Sequence, residues 1–362
     1  MTDARTIRDD PDEVRLVARG MATAVAPEDG LTQVQADLLG AIASALTGVD
    51  VDYMHLEPLD AEALAEVLRK HDDAYRRRIV HHMVLAELVL RPIPADVAIR
   101  VERYAKALGI DDQFVRVARR YGQGAYGLAW MDLRRSGFME HFSQFDTTAL
   151  RANAPVADPL EGAQVDPELE ARWRAFSELP DGSLGRSVCE MYGMRGFALP
   201  GSGAGGPTPY LAQHDFVHVI ADYGTNLKGE LEVFAFIGRA DPDPKGFAWL
   251  ATLVGLFETG VISEAGFFDR DIRNPSIRAE GMNTRVADAI RRGKQVCEAY
   301  RTDLFAVDYH AVADRPVDEV REMLSVPAKC EDAETLHWPG LMDREGMSEA
   351  QQRYADAHGG GG

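Results

Sequence analysis

Between Gln213 and Phe236 the chain reads QHDFVHVIADYGTNLKGELEVFAF, an apolar stretch carrying two histidines and several carboxylates. His214 and His218 are four residues apart, so on a helix they lie one above the other, with Asp215 about 100° round. Gly224 and Asn226 break the pattern and Gly229 precedes a second apolar run. The chain can therefore turn back and bring Glu230 towards the histidines from a second element. Two imidazoles with carboxylate oxygens suit zinc, iron or manganese better than calcium. Histidines on an apolar helix face also serve as hydrogen-bonded core residues, and spacing alone leaves the two readings level.

The pattern H-D-x-x-H, eleven residues, then E resembles the signature of the coenzyme Q biosynthesis protein four family. His214, Asp215, His218 and Glu230 fall on its four positions. Leu179-Pro-Asp-Gly-Ser-Leu-Gly185 is similar to that family's entry upstream of the motif, and Tyr223-Gly-Thr225 to the turn inside it. Asp303-Leu-Phe-Ala-Val-Asp308 and Arg315-Pro-Val-Asp-Glu-Val-Arg321 resemble its C-terminal end. The resemblance spans about 166–327 and implies a helical protein of ubiquinone biosynthesis with a divalent metal on those four residues, zinc first and iron or manganese as alternatives. It further implies a prenylated lipid or quinone precursor as ligand, other quinone-biosynthesis proteins as partners, and replacement of a ring carboxyl by hydroxyl. The alternatives are a non-catalytic lipid-binding scaffold for a quinone biosynthetic complex and, from His214-Asp215 alone, an H-D-type phosphohydrolase. The phosphohydrolase ranks last, because no upstream histidine or downstream aspartate has convincing spacing.

At 362 residues the chain has room for two domains of roughly 150 residues each. Its 46% hydrophobic and 27% charged residues are ordinary for a soluble protein. A net charge of -19 repels phosphate backbones and so argues against a nucleic-acid partner; it also disfavours general attraction to anionic lipid. Local basic clusters such as Arg76-Arg77-Arg78 leave room for peripheral membrane contact. The three cysteines, Cys189, Cys297 and Cys330, are scattered and odd in number, which fits a reducing compartment without a disulfide framework. The charged N-terminus lacks the apolar core of a secretory signal, so a cytoplasmic protein is expected, peripheral at the membrane at most. A homo-oligomer is expected. The longest apolar run, Phe247 to Ile262, contains Glu258 and falls short of the ~20 residues of a spanning helix.

The expected fold is all-α, with an N-terminal helical bundle and a C-terminal helical metal-binding domain. Residues 1–28 are acidic without sustained apolar period and read as a disordered arm. The bundle covers 29–125. Its helices begin near Thr32 (stopped by Gly48), Asp60, Tyr75, Asp96 (ending at Gly109) and Asp111. It resembles the tellurite-resistance protein B-like helical domain, most closely over Val97 to Arg120; the acidic loops of that family are replaced by Leu46-Thr-Gly48 and Leu90-Arg-Pro92, so no metal ligands carry over. His81, His82 and Glu87 read as a mostly solvated face with one buried imidazole.

The glycine-rich stretch Gly122 to Gly127 reads as a linker, since no strand precedes it. Residues 126–165 form a linker with an aromatic helix from Trp130 to Phe145. The metal and lipid domain covers 166–327; within it Gly196 to Pro209 reads as a loop, and Leu231 to Ile237 with Phe247 to Ile262 as buried elements or walls of a lipid cavity. Arg273, Arg278, Arg285 and Arg292 read as solvated helix arginines or an anion grip. Residues 328–362 read as a disordered tail.

Overall fold

The computed structural model describes residues 10–90, 93–110, 165–203, 209–241, 276–300, 303–330 and 338–358. The helix expected from Asp111, the linker and aromatic helix up to residue 164, and the apolar run Phe247 to Ile262 lie outside them, as does Arg273. Among the described residues there are twelve α-helices, no strand and two isolated β-bridges. The all-α expectation holds for them. No helix there is long and apolar enough to cross a membrane.

The chain divides into two compact units, though not end to end as expected. One joins Met1–Asp132 with Asp243–Arg291; the other joins Leu133–Pro242 with Arg292–Gly362. The reason is visible at the described end of the inserted segment. Arg278 donates to the Val89 carbonyl at 2.5 Å and Asn283 to the Asp37 carbonyl at 3.5 Å, both within the first unit.

In the first unit α1 (Pro11–Val25), α2 (Gln33–Thr47), α3 (Ala61–Leu68), α4 (Asp73–Leu88) and α5 (Ala95–Ala107) surround one core. Helix α1 corrects the expected disordered arm over residues 11–25. Asp10 caps it, accepting from Asp12 N at 3.0 Å, and Pro11 occupies its first turn. Its buried face is built largely of small residues, Ala18, Gly20, Ala22 and Ala24, with Val17, Met21 and Val25. A Cβ on Gly20 would stand 2.7 Å from Leu64 Cδ2, so the missing side chain lets α1 lie close on α3. Arg100 closes the other end of α1, Nε donating to Ala24 O at 3.0 Å and Nη2 to Ala26 O.

Helices α2 and α5 run as their caps dictate. Thr32 and Gln35 form a reciprocal capping box, and Gly48 ends α2 at φ 71°. Gly109, at φ 73°, follows α5. Helix α4 departs from expectation: His81, His82 and Glu87 are all buried, not a solvated face. Neither Glu87 carboxylate oxygen has a hydrogen-bond partner, and burial pushes that carboxyl up to about 8.

In the second unit α6 (Pro167–Arg174) and α7 (Leu184–Arg195) lead to α8 (Pro209–Ala221) and α9 (Leu227–Ala240). Helix α10 (Met282–Ala299) has its last residues, from Arg292, in this unit, followed by α11 (Val317–Met323) and α12 (Glu349–His358). Trp173, Tyr192 and Phe216 cluster at 5.2 Å centroid spacings, and Tyr309 stacks on Phe216 at 5.0 Å. These aromatics fix α8 against α6 and α7. The expected disordered tail is also corrected over residues 338–358. Leu341, Gly346 and Met347 are buried or nearly so, and α12 packs on α7.

Candidate metal centre

Helix α8 carries His214 and His218, and its last turn is held by arginines from outside it. Arg321 donates to Ile220 O at 2.7 Å and Val219 O at 3.2 Å, and Arg292 to Ala221 O at 2.9 Å. These carbonyls are the ones a helix leaves unpaired at its C-terminus, where positive charge is favoured. Arg292 is 3% exposed and also lies over the Tyr223 ring at 4.9 Å, so it is a structural cap and not a solvated surface arginine. At the other end Gln213 donates to Phe305 O at 3.3 Å and Val307 O at 3.1 Å.

The chain then reverses through Asp222 to Asn226. Asp222 has φ 59°, an unusual conformation for a residue with a Cβ; its carboxylate is held by Leu341 N at 2.8 Å and Lys329 Nζ at 3.1 Å. Asn226 caps α9, accepting from Gly229 N at 2.9 Å. Glu230 stands one turn into that helix. The C-terminal segment, expected as a disordered tail, clasps this turn: Thr225 N and Asn226 N both donate to Gly346 O, at 2.7 and 3.0 Å. Asn226 Nδ2 donates to Glu345 O at 2.6 Å and Thr225 Oγ1 to Gln351 Oε1 at 2.8 Å.

The result is a group of three, the buried His214 and His218 with the half-buried Glu230, whose ligand atoms all lie within 4.8 Å of one another. His214 Nε2 is 2.9 Å from His218 Nε2 and 3.2 Å from Glu230 Oε2, and His218 Nε2 is 3.5 Å from Glu230 Oε1. Donors about 2.0–2.1 Å from one tetrahedral metal stand about 3.3 Å apart, in the middle of that range. Each imidazole is oriented from behind. His218 Nδ1 lies 3.1 Å from Tyr223 O, and His214 Nδ1 3.1 Å from Asp215 Oδ1. Both outer partners are acceptors, so each Nδ1 carries the hydrogen and each Nε2 presents a lone pair. With both imidazoles neutral, two lone pairs and a carboxylate converge on one point, an arrangement that a cation, whether a metal ion or a proton, stabilises.

Without an ion the group holds a proton in its place, one that metal binding would displace. Burial pulls the His214 imidazole down, but hydrogen bonds to Asp215 and Glu230 outweigh it and carry it well above the usual histidine range. Burial pushes Glu230 up, and His218 and His214 overcome that and hold it well below the usual carboxylate range. Phe234 stacks on the His214 ring at 5.2 Å.

Asp215, expected as a fourth ligand, is not among the converging atoms. One helix position turns it away from the His214 and His218 face, and its second oxygen accepts from the Tyr192 hydroxyl. Asp215 thus backs the His214 imidazole, the place of a carboxylate behind a candidate ligand. Spacing points to His214, His218 and Glu230, which the structure brings together, and gives no sign of Tyr192, Arg195 and Thr225. Tyr192 and Arg195 sit on α7, with no pattern linking them to the motif. Arg195, 3% exposed, donates from Nε to Thr225 Oγ1 at 2.6 Å and from Nη2 to Leu341 O.

No family model, no curated protein and no solved structure matches this chain.

Proposed function

We propose that this protein is a divalent-metal protein of prenylquinone biosynthesis, in which His214, His218 and Glu230 hold the ion, zinc before iron or manganese. Asp215 orients His214. The observation that carries the metal is the convergence of two fixed imidazole lone pairs and a carboxylate at 2.9–3.5 Å inside the fold. The substrate class follows from the resemblance of the H-D-x-x-H and E pattern to the ubiquinone family: a ring acid with a prenyl tail, whose carboxyl is replaced by hydroxyl.

The residues divide the work. Leu231, Val233, Ala235, Phe236 and Ile237 are buried on α9 beside Glu230, and apolar side chains of this kind suit a prenyl tail. Phe234, against His214, suits an aromatic ring next to the ion. The ion would supply Lewis acidity towards a ring carboxyl or phenol oxygen. Tyr192 is kept protonated by burial and by Asp215, so it holds its proton on Asp215 and keeps that carboxylate aimed at His214. The phosphohydrolase alternative draws on Asp215 as a ligand, and the contact with Tyr192 gives it no support.

Reconstitution tests the reading. Purified protein loaded in turn with zinc, iron and manganese should retain a prenylated hydroxy-acid and, under air, convert it to the ring bearing hydroxyl in place of carboxyl, the carboxyl leaving as carbon dioxide and dioxygen taking up the two electrons, read by mass spectrometry. Retention without product across all three metals would leave the lipid-binding scaffold in its place; neither retention nor product would sink both.

A further inference from the structure

Arg195 is a buried cation whose guanidinium is only partly used by the fold. Nε donates to Thr225 in the turn between the two ligand-bearing helices, and Nη2 to the Leu341 carbonyl. Nη1 is enclosed without a hydrogen-bond partner. The residue lies one helical step beyond Tyr192 on the same side of α7, and Tyr192 reaches Asp215. Burial pulls the Arg195 guanidinium down to about 10, and the Asp215 and Glu230 carboxylates oppose that. Arg195 therefore belongs to the electrostatics of the metal centre without touching its ligand atoms.

The charge count at the centre gives that position a consequence. Imidazoles are neutral as ligands. With a divalent ion in place, two carboxylates face a doubly charged ion and one guanidinium, which leaves one positive charge among these groups. An uncompensated charge in a buried site is unfavourable, and a donor with no acceptor adds to the cost. A ligand with a single negative charge relieves both at once. A neutral acceptor satisfies the donor but leaves the charge, and a dianion overshoots.

We propose that Arg195 is the anion anchor of this site, donating from Nη1 to the carboxylate of a monoanionic ring acid. The inference rests on the metal reading above and adds the charge selectivity of the ligand. Guanidinium suits the task because its fork geometry matches a carboxylate.

The test uses the full-length, zinc-loaded protein, with zinc content measured first, and titrates benzoate, the neutral isostere benzamide and the dianion phenyl phosphate by calorimetry. Benzoate should bind at least about tenfold more tightly than either of the others, the scale of one hydrogen bond to a charged group. Arg195→Gln should keep its zinc and lose about tenfold in benzoate affinity, while Arg195→Lys keeps part of it. Benzoate and benzamide binding alike in the wild type, or Arg195→Gln binding benzoate like the wild type, overturns the proposal and leaves the metal reading intact. Should Arg195→Gln fail to fold, the benzoate–benzamide contrast and Arg195→Lys decide. A wild type that takes up no zinc overturns both readings.

Discussion

Gly224→Ala is the sharpest way to perturb the turn between His218 and Glu230 without touching either. A Cβ at Gly224 would stand 2.5 Å from Gly346 O, 2.7 Å from its Cα and 2.9 Å from its carbonyl carbon. All three are backbone atoms, so no side chain can swing aside, and the two segments must part by about 1 Å to reach ordinary contact. That movement breaks the bonds from Thr225 N and Asn226 N to Gly346 O. Two hydrogen bonds at about 0.5–1.5 kcal/mol each and an overpacking cost of about 1–3 kcal/mol come to about 2–6 kcal/mol. The loosened turn includes Tyr223, whose carbonyl orients His218, and Asn226, which starts the helix of Glu230. Each 1.4 kcal/mol or so that reaches the site weakens metal binding about tenfold. Urea denaturation with zinc competition against a chelator measures both effects. A Gly224→Ala protein within about 1 kcal/mol of the wild type and equally resistant to the chelator would refute the idea that the C-terminal segment clasps the site.

Two further variants separate roles. Asp215→Ala should fold and still take up metal, with affinity lowered about 10–100-fold, as for a residue behind a ligand; a loss of all metal in competition titrations would make Asp215 a ligand after all. Glu87→Gln should change how stability depends on pH. In the wild type burial raises the folded carboxyl from 4.5 to about 8, so between these values the native state binds more protons than the unfolded one. Stability then falls as pH rises through that window and levels off above it, by on the order of 5 kcal/mol in all. Glu87→Gln should flatten the slope, measured by denaturant melts from pH 5 to 8; an unchanged slope would mean that Glu87 does not set it.

Much of the site was legible because it is local. The four-residue interval of His214 and His218, and the glycine and asparagine before Glu230, specify a helix, a turn and a returning helix through short-range rules. Thr32 with Gln35, Gly48 and Gly109 likewise marked helix ends through their own caps. Helix α1 was not legible, since its buried face uses alanine and Gly20, which give little hydrophobic periodicity; its placement depends on Leu64, 44 residues away. The C-terminal clasp escaped for a different reason. Leu341 and Gly346 act largely through backbone N–H and carbonyl groups, which leave no mark on residue type. Asp215 illustrates a third limit. Its helix position was readable, but its role depends on Tyr192, 23 residues upstream.

The central claim is that His214, His218 and Glu230 together hold one divalent ion. Elemental analysis of the purified protein after dialysis against a chelator of graded strength, with His218→Ala and Glu230→Ala alongside, tests it most directly. One ion per chain in the wild type, and loss of most of the affinity in each variant with the helical circular dichroism retained, is the predicted result. A wild type without metal, or a His218→Ala protein that keeps its full complement under the same challenge, would contradict it.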